Sequence, residues 1–531
     1  MESVFDDENN DNDDDGLFAP YWWKFWPTFI WVNLETVLVI LLVAFFFLVP
    51  EAAQEWVFTK LSFEDPPPAG HSALPADEED NPKILFVEGV DKNSINTDRA
   101  KKPRVYYIDN LRSFLTVVVV THHVMCAISN DNWSGVNVIG CHKEHATYAE
   151  CNGKSGRTGL HNFFDEVVGP WALSLNQAYF MALFFFISGL FSPPALKKKG
   201  IRAFLKDKLK RLGIPFLVWQ LALGPFFYQV FVPLGIMQLD STLDYNTFNG
   251  PPWFILVLLI FNIVYAFAPG TLPTMPLPSI PILISFVGIP IGSVYALFSS
   301  TSFTFGVPGG WHSMFSYIVC FAGGLIASKN NWMDDIATYP AKAGRFLYFF
   351  TVMISFTWFM NLKVSYDYPS EDYEDSSVWE VIQGIWAVIV SLALMNFFAK
   401  NCDLTGPWIQ RINDAAYMVY MIHYYFIIFG IWVFTIFGYF GLSGKVGRVC
   451  YQAVGEEPDA PIDWEDGCVS TNDVSYSIVH NKFYILMQLD NNTGYSGFYW
   501  SGFLFVSFFS LLTVWPVAWV LKQIPGVKGA M

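Results

Sequence analysis

Arg112 and His123 share one apolar run, Tyr107-Ile-Asp-Asn-Leu-Arg-Ser-Phe-Leu-Thr-Val-Val-Val-Val-Thr-His-His. A charged side chain in hydrocarbon costs roughly 2.5–3.5 kcal/mol on insertion scales, so such residues default to functional candidates that face a protein interior or cavity. On a helix, eleven residues bring Arg112 and His123 to within about 20° of one face and set them roughly 16 Å apart along the axis. His122 points about 80° away from that line. An imidazole in this setting can act as a general base or as a nucleophile. An Arg can clamp an anion or stabilise an oxyanion. Asp109 stands at i,i+3 from Arg112 and can orient it. The bland alternative is an Arg112–Asp109 pair beside a hydrogen-bonded packing histidine. His122 reads as a packing or orienting residue hydrogen-bonded to a neighbouring helix, with an exchange of roles between the two histidines left open.

The elements that position these residues follow from composition. The chain is 53 % hydrophobic, 18 % aromatic and only 15 % charged over 531 residues, too apolar for an ordinary soluble domain of that size. Runs long enough to cross a hydrocarbon core begin near Thr28, Ile108, Trp171, Ile214, Trp253, Ile280, Trp311, Phe346, Val378, Ala415 and Phe498. Eleven spans are expected, several of them short or interrupted by Pro, and helices are the only option for runs of this length in lipid. The fold class is therefore all-α, a polytopic membrane bundle.

With the N-terminus placed outside, 22 of the 31 Lys and Arg fall in cytosolic segments and eight in external ones. This agrees with the positive-inside rule. The same assignment puts the acidic tail Asp6–Asp15 and the loops 367–375 and 456–466 outside, so the net charge of −16 carries no nucleic-acid signal. No cleavable leader is evident ahead of the first apolar run. Both N-glycosylation sequons, at Asn132 and Asn491, fall on the external side. So do Cys141, Cys151, Cys450 and Cys468, expected as nearest-neighbour disulfides within their own loops.

Residues 1–27 read as an external acidic tail, 28–50 as an N-terminal anchor, 51–105 as a polar cytosolic linker, and 523–531 as a cytosolic tail. The main domain, 106–522, holds ten spans and external insertions at 129–169 and 441–497. The run Cys141-His142-Lys-Glu-His145 up to Cys151 has metal-capable side chains but no zinc-module spacing, so it reads as a disulfide loop and no metal is expected. There is no phosphate loop, dinucleotide fingerprint or nucleophile elbow, and no bound cofactor is expected.

Five blocks in order carry a resemblance. Asp109-Asn-Leu-Arg112 with His123 is followed by Phe184-Phe-Phe-Ile-Ser-Gly-Leu-Phe191 and by Phe204-Leu-Lys-Asp-Lys-Leu-Lys-Arg211-Leu-Gly-Ile-Pro215. Pro252-Trp-Phe254 and Ala416-Tyr417-Met-Val-Tyr420-Met-Ile-His423 complete the set. Together they resemble the acyltransferase 3 family of multipass membrane O-acyltransferases over Tyr106 to Val520.

The resemblance implies a ten-helix core that transfers an acyl group from a cytosolic donor, commonly acyl-CoA, to an acceptor that is often a carbohydrate or lipid. His123 would then be the base or acyl carrier, Arg112 the donor clamp and Asp109 its orienting partner. Arg211 gains weight as a donor-binding residue. Lys208 stands where family members often have Arg, and without the bidentate fork its phosphate role is weaker. A positive-inside anchor explains the Lys run equally well, on a segment whose apolar residues fit an interfacial helix. His423 and Tyr420 share a helix side and read first as a buried hydrogen-bonded cluster, with catalysis as the second option.

The rival reading is a proton-coupled transporter that uses the same Arg and His as an intramembrane relay. A non-catalytic scaffold is the third.

Overall fold

The computed structural model describes residues 34–60, 105–128, 163–224, 226, 252–268, 270, 272–298, 310–367, 377–437, 448–453, 468–470, 483–486, 498–525 and 527. Cys141, Cys151, Asn132 and Asn491 lie outside the described residues, so the expectations placed on them stay untouched.

The chain is an all-α polytopic bundle. Its helices are α1 (Leu34–Leu48), α2 (Glu51–Lys60), α3 (Tyr106–Ile128), α4 (Gly169–Lys208), α5 (Ile214–Val218), α6 (Trp253–Phe267), α7 (Ile280–Leu283) and α8 (Ile289–Leu297). They are followed by α9 (Gly310–Asn330), α10 (Trp332–Ala337), α11 (Ala341–Asp367), α12 (Ser377–Asn401), α13 (Pro407–Phe437) and α14 (Phe498–Lys522). Ten of the eleven anticipated starts fall inside a helix, and Thr28 lies outside the described residues. Among the described residues, six helical stretches are long and apolar enough to cross a membrane, or seven if α1 and α2 form one bent span. The 23-residue α3 carries Asp109, Arg112 and two His among its apolar residues.

Two features depart from simple spans. The first ten residues of the segment read as a polar linker form α2, which meets α1 at 116°. Gln54 holds that bend by donating through Nε2 to the carbonyls of Phe45, Phe46 and Val49 at the end of α1, where no intrahelical donor reaches. In α4 the helix breaks at Gly200, whose φ of 74° favours a residue without Cβ. Beyond the break Ile201, Phe204, Leu205 and Leu209 are buried, so the basic segment is a separate helix with one apolar face.

The insertion before α14 carries a small antiparallel sheet in the order β2-β1-β3, from β1 (Arg448–Ala453), β2 (Cys468–Ser470) and β3 (Phe483–Leu486). Its register pairs Cys450 with Cys468 as backbone partners.

α3 lies at the centre, packed by α4, α12, α13 and α14. Small residues bring the surrounding helices close, as expected where van der Waals packing drives association in lipid. A Cβ on Gly324 of α9 would sit 2.1 Å from the Phe186 carbonyl oxygen of α4, and one on Gly189 would sit 2.3 Å from that of Phe321. A Cβ on the adjacent Gly323 would meet only the Phe186 ring, at 3.7 Å. Gly324→Ala is therefore expected to lower stability by about 1–3 kcal/mol through overpacking, read as a lower thermal midpoint, with Gly323→Ala near wild type. Equal midpoints for both variants would contradict this crossing. On the outer side, Phe349, Val352 and Phe356 of α11 and Leu504 and Phe508 of α14 are exposed, an apolar surface suited to lipid.

Candidate active site

The Arg112–His123 face of α3 meets the Tyr417–Tyr420–His423 face of α13, so two of the sequence blocks touch across 300 residues of chain. His423 is fully buried. Its Nδ1 lies 2.7 Å from the Tyr420 carbonyl oxygen, and its Nε2 lies 3.2 Å from His123 Nδ1. His123 Nδ1 is also 2.9 Å from the Val119 carbonyl oxygen.

These contacts assign the tautomers. A carbonyl can only accept, so His423 carries its proton on Nδ1 and presents Nε2 as an acceptor. His123 then carries its proton on Nδ1, shared between Val119 and His423. The lone pair of His123 is left on Nε2, the basic and nucleophilic nitrogen.

An aromatic wall built from the other blocks holds this pair. Phe254, from the Trp-Phe pair that opens α6, packs edge-on to Tyr420 at 5.8 Å and to Phe185 of α4 at 4.7 Å. Trp253 and Phe185 both stack on Tyr317 of α9. The Tyr424 ring lies 4.9 Å from that of His123.

Arg112 sits eleven residues back along the same face, toward the start of α3, half exposed, with Nη1 3.9 Å from Asp109 Oδ1. Its charge reaches Tyr417 and Lys208. Lys208 rests over the Phe204 ring and lies within electrostatic reach of Lys199, Asp207 and Arg211. Arg211 Nε is 3.2 Å from Asp207 Oδ1, and its backbone carbonyl accepts from the Tyr417 hydroxyl at 2.8 Å. Arg112 and the Lys208–Arg211 pair, from two different sequence blocks, therefore form one cationic cluster at this end of the bundle. Among the described residues, no group of three or more His, Cys, Asp and Glu side chains is placed to hold a metal ion.

Sequence reasoning missed the polar joint that fixes the Arg112 end of α3. Asn413 Nδ2 donates to Asn110 Oδ1 at 2.6 Å, and its Oδ1 accepts from Ser113 Oγ at 2.6 Å. Asn110 Nδ2 donates to the carbonyls of Cys402 and Leu404, and the Tyr107 amide donates to Asp403 Oδ1. The available signal was Asn413 at i−4 from Tyr417, on the side of the helix that also carries Tyr420.

The other correction concerns His122. In place of a hydrogen bond to a neighbouring helix, its Nδ1 is buried with no partner among the described residues. The ring packs on Phe180 and lines a cavity of about 390 Å³. An unsatisfied buried polar atom costs about 1–3 kcal/mol, so His122 packs against a neighbouring helix as expected but without the expected hydrogen bond.

A family model described as an acyltransferase domain matches residues 105–455. The chain belongs to the acyltransferase 3 family. The match spans α3 to β1 and all five blocks. It stops short of Val520, yet α14 beyond it packs on α13 and α3 and so completes the same bundle. No curated protein and no solved structure matches the chain.

Proposed function

We propose that this multipass membrane protein moves an acyl group from a cytosolic acyl-CoA-type donor to a hydroxyl of a carbohydrate, lipid or other acceptor on the external or lumenal side. The observation that carries the reading is the His123–His423 pair. A second imidazole orients the first and leaves its Nε2 basic, at the far end of a helix whose other end joins a cationic cluster. His123 Nε2 takes the acceptor proton while the hydroxyl oxygen attacks the thioester and CoA leaves as thiolate. Alternatively it attacks the thioester itself, expels the CoA thiolate and passes the acyl group from the acyl-imidazole to the acceptor hydroxyl, whose proton ends on the thiolate. Arg112, oriented by Asp109, and Arg211 with Lys208 hold the anionic donor.

The sidedness rests on charge. Lys329, Lys400 and Lys522 each donate to a backbone carbonyl at the bundle end where Arg211 meets Tyr417, and this end collects the Lys- and Arg-rich segments. The N-terminus is then external or lumenal, in the plasma membrane or endomembrane system, and the C-terminus cytosolic. The Cys450–Cys468 register suits an external disulfide, and Cys141–Cys151 and glycans at Asn132 and Asn491 belong to the same proposal.

Purified protein in lipid nanodiscs, offered acyl-CoAs of increasing chain length, should release free CoA thiol without any ion gradient. Inertness toward every thioester, together with gradient-driven flux in closed vesicles, would replace the enzyme by the transporter.

A further inference from the structure

The cavity beside His122 has no part in the steps above. It opens between α3, α4, α8, α9, α11 and α12, at the end of α3 away from Arg112. Its volume of about 390 Å³ lies within the range of small-ligand sites. Three observations define what it would hold. First, its polar groups are His122, Ser174, Gln177, Tyr295, Ser313 and Gln383, and no lining residue is charged among those described. The described lining therefore offers no counter-charge to an anionic or cationic ligand and favours a neutral one. Second, the Trp358 ring forms an apolar wall, and its Nε1 donates to Ser174 Oγ at 2.8 Å while Ser174 donates to the Pro170 carbonyl. That wall is held in place before any ligand arrives. Third, His122 is only 5 % exposed and its Nδ1 has no partner among the described residues. A mostly apolar pocket with a rigid aromatic wall and a few hydrogen-bonding groups suits the C–H faces and hydroxyls of an uncharged polyol.

We infer that this cavity binds a small uncharged polyhydroxylated group, free or as the headgroup of a neutral lipid, with His122 Nδ1 hydrogen-bonded to one of its hydroxyls. The ring of His122 lies 5.6 Å from that of His123. On the acyltransferase reading, the cavity is the acceptor site and His122 a positioning residue beside the base. The binding itself does not depend on that reading.

Cys126 lines the cavity and carries a thiol, not a disulfide, so its labelling reports occupancy directly. The experiment follows methylthiolation of Cys126 by a small neutral methanethiosulfonate, mapped by peptide mass spectrometry, on full-length protein in phosphatidylcholine nanodiscs free of glycoside detergent. Saturating methyl β-D-glucoside should slow Cys126 labelling at least about fivefold and leave Cys402, at the other end of the bundle, unchanged. Glucose 6-phosphate should not protect. A monoglucosyl diacylglycerol in the disc separates the sources: protection by it alone assigns the lipid headgroup, and protection by the methyl glycoside assigns the free polyol. His122→Gln and His122→Ala should each need about tenfold more ligand for half-protection, the effect of losing one hydrogen bond to a buried group.

The inference fails if neither ligand protects Cys126, if the phosphate protects equally, or if Cys126 does not react with the neutral reagent at all. Undiminished protection in both His122 variants would remove His122 from the site. Protection in a protein inert toward every acyl-CoA would keep the cavity and sink the enzyme reading. Thioester turnover without protection would do the reverse.

Discussion

Replacing His123 by Ala should abolish acyl transfer, with a fall in turnover of about 10³-fold or more at matched membrane levels. The size follows from losing a positioned general base, worth about 10²–10⁴ alone, or the whole covalent route if the imidazole carries the acyl group. His423→Ala should be milder, about 10–100-fold, because it removes the acceptor that helps hold the His123 tautomer while the Val119 carbonyl remains. Both variants are compared with wild type by thermal midpoint and by thioester consumption, which separates lost chemistry from a lost fold. Wild-type transfer by His123→Ala would overturn the mechanism and favour the scaffold. Loss confined to His122→Ala would keep the enzyme and move the base one residue back along α3.

Arg112→Lys keeps the charge and loses the planar fork. It should raise the KM for the acyl donor about tenfold with a smaller change in turnover, since only a guanidinium can meet a phosphate with two parallel donors. The location supports a donor role. Arg112 is half exposed at the cationic end, where Lys208 and Arg211 from the segment beyond Gly200 join it. Steady-state kinetics on purified protein separate the cases. If Arg112→Lys matches wild type while Arg112→Ala fails, point charge is sufficient and the clamp is wrong. If both lose turnover with the donor KM unchanged, Arg112 acts on the transition state and not on donor binding.

What the amino-acid sequence determined by itself is what local periodicity and solvent preference can specify. Apolar runs of membrane length placed the helices, and the 3.6-residue repeat put Arg112 and His123 on one face of α3 and turned His122 off it. The ordered blocks pointed to the acyltransferase 3 family, and the family match over 105–455 agrees. The tertiary structure alone decided which faces meet. His423 reached His123, Asn413 joined Asn110 and Ser113, and Trp358 came to wall the cavity beside His122. Helix periodicity cannot choose among the neighbouring helices, because in a membrane protein a lipid-facing aromatic and a buried one have the same composition. The bend after Leu48 and the break at Gly200 were also hidden. Each depends on groups brought together in space, Gln54 on free carbonyls at a helix end and Gly200 on a backbone turn that redirects the basic segment. Position along a helix is written in the chain; the partner across the helix is written only in the packing.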